Sequence, residues 1–118
     1  MVTASQHPSD EPLIPMPPLT FPGLQKAVAT LVPSRLPELF EDMRQTFIWA
    51  EEQESISPIR LFHLRWGMVI AIERIPSRAH RFRECEHRVA NAGTREEARA
   101  ASIEIGRILA EAEAEVRG

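Results

Sequence analysis

The sequence predicts an all-α fold: a compact bundle of four to five helices behind a disordered or extended, proline-rich N-terminal arm. Three observations carry that prediction. Beyond residue 21, apolar residues recur at three- and four-residue spacing, which gathers them on one face of a helix. Five of the ten prolines (Pro8, Pro12, Pro15, Pro17 and Pro18) fall within residues 1–21, where they block regular hydrogen bonding and favour extended chain. No segment carries the alternation expected of a strand. The chain divides into an arm, residues 1–21, and a helical domain, residues 22–118.

The arm is unusually apolar for a linker, with Leu13, Ile14, Met16, Leu19 and Phe21 among its prolines. It is expected to dock along its own domain or to fold onto a partner. The first helix is predicted over 22–32, with Pro22 in the first turn, Leu24, Val28 and Leu31 on one face, and Pro33 as its stop. The second runs from Arg35 to about Glu54, capped by Ser34. Its core stripe is Leu36, Leu39, Phe40, Met43, Phe47 and Ala50. Ser57-Pro58 starts the third, to about Ile75. Ile59, Phe62, Trp66, Val69 and Ile70 lie together on it, and Leu61, Leu64, Met68 and Ile72 extend the apolar surface round it. A helix apolar on most sides belongs at the centre of a bundle. Gly67 in its middle suggests close approach by a neighbour.

Pro76 breaks or kinks the chain and Ser77 helps start the fourth helix, to about Ala92, with Ile75, Ala79, Phe82, Val89 and Ala90 toward the core, Cys85 at the edge of that face and Glu86 as a misfit near its centre. Gly93 suits a left-handed cap, and Thr94 with Glu97 makes a capping box for a fifth helix to about Val116. Ala98, Ala101, Ile105, Ile108, Leu109 and Ala112 form its stripe. Short loops favour antiparallel neighbours.

Net charge is −3, unevenly placed. Residues 34–57 carry two arginines against six acids, residues 58–91 seven arginines against three, and residues 92–118 four against six. Acidic and basic helices are expected to neutralise one another; the functional alternative is a basic face kept for an acidic partner. A single cysteine allows no internal disulfide and fits a reducing compartment. Met1–Asp10 shows no signal-peptide pattern, and the longest apolar run, Met68–Ile72, is far too short to cross a bilayer. A cytoplasmic location without membrane partners is expected.

His80, Glu84 and His87 share a face at i, i+4, i+7, the weak beginning of a zinc site that lacks further ligands; the simpler reading is a solvated His–Glu pair, and no metal or other cofactor is expected. Arg74, Arg78, Arg81 and Arg88 form a stripe able to meet phosphates or carboxylates. Nucleic acid is disfavoured by the acidic net charge and by the lack of aromatic stacking platforms. No catalytic motif is present, so no enzyme is expected. Trp49 flanks the second helix's stripe as a candidate contact residue.

The stretch from Leu36 to about Val89 resembles a family of short, uncharacterised, all-helical actinobacterial proteins. The resemblance rests on LPELFEDMRQTF, on SPIRLFHLRWGMVIAI with Trp66 in mid-helix, and on PSRAHRFRE. Ile75 stands where the pattern has an aspartate before Pro76. Some members look like antitoxin partners of RelE/ParE-type toxins, which implies a protein that binds and neutralises a basic toxin.

The functional expectation is a non-enzymatic protein-interaction module, antitoxin-like or an accessory or regulatory subunit. Its partner-binding residues would be Leu13, Ile14, Phe21, Trp49, Arg74, Arg78, Arg81 and Arg88; a protein partner, or a second copy in a homodimer, would meet them. The alternatives are a DNA-binding regulator using the arginine-rich helix 74–91 and a metal- or small-molecule-binding protein.

Overall fold

The structure is a computed structural model that describes residues 8–118, so the first seven residues of the predicted arm lie outside the described residues. Among the described residues there are five α-helices and no strand: α1 Phe21–Leu31, α2 Leu36–Gln53, α3 Ser57–Glu73, α4 Pro76–Ala90 and α5 Arg95–Arg117. The all-α expectation holds, and each helix lies within two residues of its predicted bounds.

The caps differ in detail. Thr20 closes the start of α1, its hydroxyl accepting the Gly23 N–H at 3.2 Å. Ser34 does not cap α2. It lies in a 3-10 turn, Pro33–Arg35, and Arg35 stands just ahead of the helix, donating twice to Glu38 at 2.9 Å. Ser57 sits inside α3, its N–H taken by Ser55 Oγ at 3.0 Å. Thr94 caps α5 as predicted, accepting the Glu97 N–H at 3.1 Å, while Glu97 reaches back to the N–H of Gly93 rather than of Thr94. Gly93 does not take the left-handed conformation predicted for it. Asn91 ends α4 instead, its side-chain amide donating to the His87 carbonyl at 2.9 Å. The left-handed cap falls at Glu54, φ 49°, after α2.

Helix α3 is the shared element. α1 and α2 pack on one flank, α4 and α5 on the other, and α2 packs on neither α4 nor α5. The result is a flattened bundle of 53 × 40 × 27 Å. Leu24, Val28 and Leu39 meet Phe62, Trp66 and Ile70 on the first flank; Ala79, Ile108 and Ala112 meet Ala71 and Ile72 on the second. Phe62 and Trp66 are 3% and 2% exposed, and truncating either to alanine would cost about 3–5 kcal/mol. The Trp66 indole N–H donates to Asp42 Oδ2 at 2.6 Å, and the Arg35 guanidinium lies 5.0 Å from its ring centroid. The buried ring is thus satisfied at its polar edge and covered by a cation on its face. At Gly67 a Cβ would stand 3.1 Å from Leu19 and 3.2 Å from both Val116 methyls. The arm and the end of α5 both approach α3 there, as the glycine suggested.

Two helices present other faces than predicted. In α4, Ala79 and Cys85 are buried and Phe82 is half-buried, while Val89, Ala90 and Glu86 are exposed. The small Cys85 takes the interior position, which removes the misfit of a carboxylate on the core face. In α2, Leu39 is buried, but Phe40 and Phe47 lie at the surface. α1 runs back along α2 for only 11 residues, about 16 Å, whereas α2 has 18, about 27 Å, so the far end of the stripe has no cover.

The described part of the arm, from residue 8, is extended and integral to the fold. Leu13 N–H donates to the Arg74 carbonyl at 2.7 Å, and Ser77 N–H donates to the Ser9 carbonyl at 2.8 Å. These bonds satisfy a terminal carbonyl of α3 and a terminal N–H of α4, groups that helix ends leave unpaired. Ile14, Met16 and Leu19 pack against the core. Ile14 and Phe21, expected to meet a partner, are half-buried against their own domain. Ile14 lies against the core and its carbonyl accepts from Arg74 Nη1 at 3.2 Å. Phe21 begins α1, its ring 5.8 Å from that of Phe40 and 6.2 Å from that of Phe62. Leu13 alone of the three keeps an exposed side chain.

Candidate functional site

Because α2 and the α4–α5 pair stand apart, a strip of α3 faces solvent between them. Leu61, Leu64 and Met68 recur along it at i, i+3, i+7, with Val69 and Ile72 beside them. Phe82 and Glu86 of α4 and Leu109 of α5 contribute one wall; Arg35 and Arg65, with Glu73, complete the rim. The groove holds about 500 Å³. Leu61 is 61% exposed although it belongs to the central helix. Leu61 and Arg65 also line a shallower depression with Trp49, Gln53 and Pro58, so the apolar surface continues to the tryptophan. Trp49, predicted as a contact residue, is 46% exposed at that end.

The charges at the rim are largely matched within the chain. Arg65 pairs with Asp42 at 2.8 Å, Arg35 with Glu38 at 2.9 Å, and Glu73 with Arg83 at 3.1 Å. The hydrogen bonds that Arg35 donates to Glu38, with the charge of that carboxylate, hold the Arg35 guanidinium pKa above its ordinary value. These pairs fix the rim around an uncharged floor. Such a surface can accept the apolar face of a helix, read as anchors at i, i+3 and i+7.

The predicted arginine stripe is engaged inside the fold. Arg74 and Arg78 are turned inward and pair with Glu115 at 2.8 and 2.5 Å. Arg78 first, then Arg74, hold the Glu115 carboxyl below its ordinary range. Arg81 lies 3.3 Å from Glu104, and Arg88 pairs with Glu84 at 3.0 Å. The basic helix and the acidic α5 neutralise each other along their contact, so the four arginines do not stand as an unmatched basic face. His80, Glu84 and His87 gain no further ligand: among the described residues no group of three or more His, Cys, Asp or Glu is placed to hold a metal ion. Cys85 is buried.

Sequence reasoning missed Leu61 as a surface residue; Leu64 and Met68, which line the same groove, are half-buried. The signal was present. α3 is apolar around more of its circumference than flanking helices on two sides can cover.

Compared with known proteins, the chain matches no family model, no curated protein and no solved structure. No helix among the described residues is long and apolar enough to cross a membrane.

Proposed function

We propose that this chain is a non-enzymatic protein-interaction module, an accessory or regulatory subunit whose α3 groove receives an amphipathic helix from a partner protein. The observation that carries the reading is the groove-lining row of the exposed Leu61 and the half-buried Leu64 and Met68 on the central helix, walled by Phe82 and Leu109. Exposed contiguous apolar surface rimmed by charge is the mark of an interaction site. Trp49 at the end of that surface adds an aromatic anchor of the kind that dominates binding energy. An antitoxin-like role is the form of this reading that the resemblance implies.

The test is a photoreactive phenylalanine analogue placed at Leu61 in the full chain, expressed in the organism the chain comes from. One discrete polypeptide should cross-link at position 61 and not at Ile103, which is exposed on α5 outside the groove. The same products at both positions, or none at position 61, would refute the reading.

A further inference from the structure

We infer that the uncovered end of α2 is a second docking surface, and that its occupant is a short apolar helical segment of a partner bearing lysine or arginine. Of the α2 stripe, Leu36, Leu39 and Met43 pack into the core that α1 shares. Past that point Phe47 is 62% exposed and Ile56, at the turn into α3, is 56% exposed. Together with Ala50 and Ile59 they line a depression of about 360 Å³. It is separate from the groove: Ile59 and Leu61 are two residues apart on α3, so they point to opposite sides of that helix.

Charge selects the occupant. The depression's only charged residues are Glu51 and Glu54, and neither has an ion-pair partner among the described residues. Glu51 follows Phe47 by one turn, so its carboxylate stands beside the exposed ring. The last turn of α2 holds no basic residue, and acids there lie at the negative end of the helix dipole. Arg44, one turn before Phe47, is already held by Glu41 at 2.7 Å. An apolar face bordered by unmatched carboxylates fits a segment whose apolar stripe is flanked by cations. It does not fit a second copy of this chain, which would bring the same carboxylates against themselves.

The probes are two labelled amphipathic peptides with one leucine stripe, one with a lysine polar face and one with a glutamate polar face. Fluorescence anisotropy against the full chain should show the lysine peptide binding at least tenfold more tightly, and less tightly as salt rises. Phe47→Asp should weaken it at least tenfold, Glu51→Lys with Glu54→Lys should reverse the preference, and Ile103→Asp, exposed on α5 and outside both surfaces, should leave it unchanged. All four positions are exposed, so the variants keep the fold, checked by circular dichroism. Equal binding of both peptides, no binding of either, or loss on Ile103→Asp in place of Phe47→Asp would overturn the inference, and the groove reading would still stand or fall on its own cross-link. A self-associated chain that Phe47→Asp returns to monomer would overturn it in favour of a second copy.

Discussion

Exchange of glycine for alanine at two helical positions is expected to move stability in opposite directions. Taken alone, each exchange favours the helix by about 1 kcal/mol. At Gly106, on the exposed side of α5, an added Cβ meets nothing within 4 Å, so the gain should be realised. At Gly23 the Cβ would stand 2.4 Å from the Pro18 carbonyl oxygen and 3.2 Å from Thr20 Oγ1. The nearer obstacle is backbone, so the segment Pro18–Thr20 has to move. That loosens the Thr20 cap, worth about 1 kcal/mol. It also lifts Leu19 from its seat over Gly67, and a half-buried leucine contributes about 1–2 kcal/mol. Against the helix gain, Gly23→Ala should cost about 1–2 kcal/mol net, while Gly106→Ala should stabilise by about 1 kcal/mol. For a chain of this size each kcal/mol moves the thermal midpoint by about 4 °C. Urea denaturation followed by far-ultraviolet circular dichroism measures both variants. A Gly23→Ala protein as stable as the parent would refute the seating of the arm against the first turn of α1.

Other outcomes follow from the same contacts. Deleting residues 1–14 removes the Ser9, Leu13 and Ile14 backbone bonds and should lower stability by about 2 kcal/mol; an unchanged urea midpoint would show that the arm is dispensable. Glu54→Gly relieves a left-handed residue and should stabilise by about 0.5–1 kcal/mol, read from the same midpoint. Glu115 has a folded-state pKa below its ordinary value of 4.5, so its contribution is present above that pH and is lost as pH falls through the lower, folded-state value. Glu115→Gln should cost about 2 kcal/mol at neutral pH and flatten the acid limb of a stability–pH profile; an acid limb as steep as the parent's would contradict that assignment.

The helices were legible because their signals are local. Pro22, Pro33, Pro58 and Pro76 punctuate the chain, Thr94 and Glu97 start the last helix, and the density of apolar residues on α3 places it at the centre. Gly67 even announced a close approach. What those signals do not fix is how far each neighbour reaches. The stripe of α2 reads as uniformly interior, yet α1 is too short to cover Phe47. The α4 stripe reads through Glu86, yet where α4 packs on its neighbours Cys85 is buried in its place.

The same division holds for the candidate surfaces. Composition and periodicity by themselves determined an all-helical chain with a greasy central segment and with arginine and glutamate sorted onto different helices. Only the tertiary arrangement decided that Arg74 and Arg78 meet Glu115, that the arm ties the end of α3 to the start of α4, and that Leu61 and Phe47 are left uncovered. The reason is physical. Backbone hydrogen bonding and side-chain spacing act within a few residues, whereas exposure depends on the lengths and crossing of segments far apart in the chain, which no local pattern records.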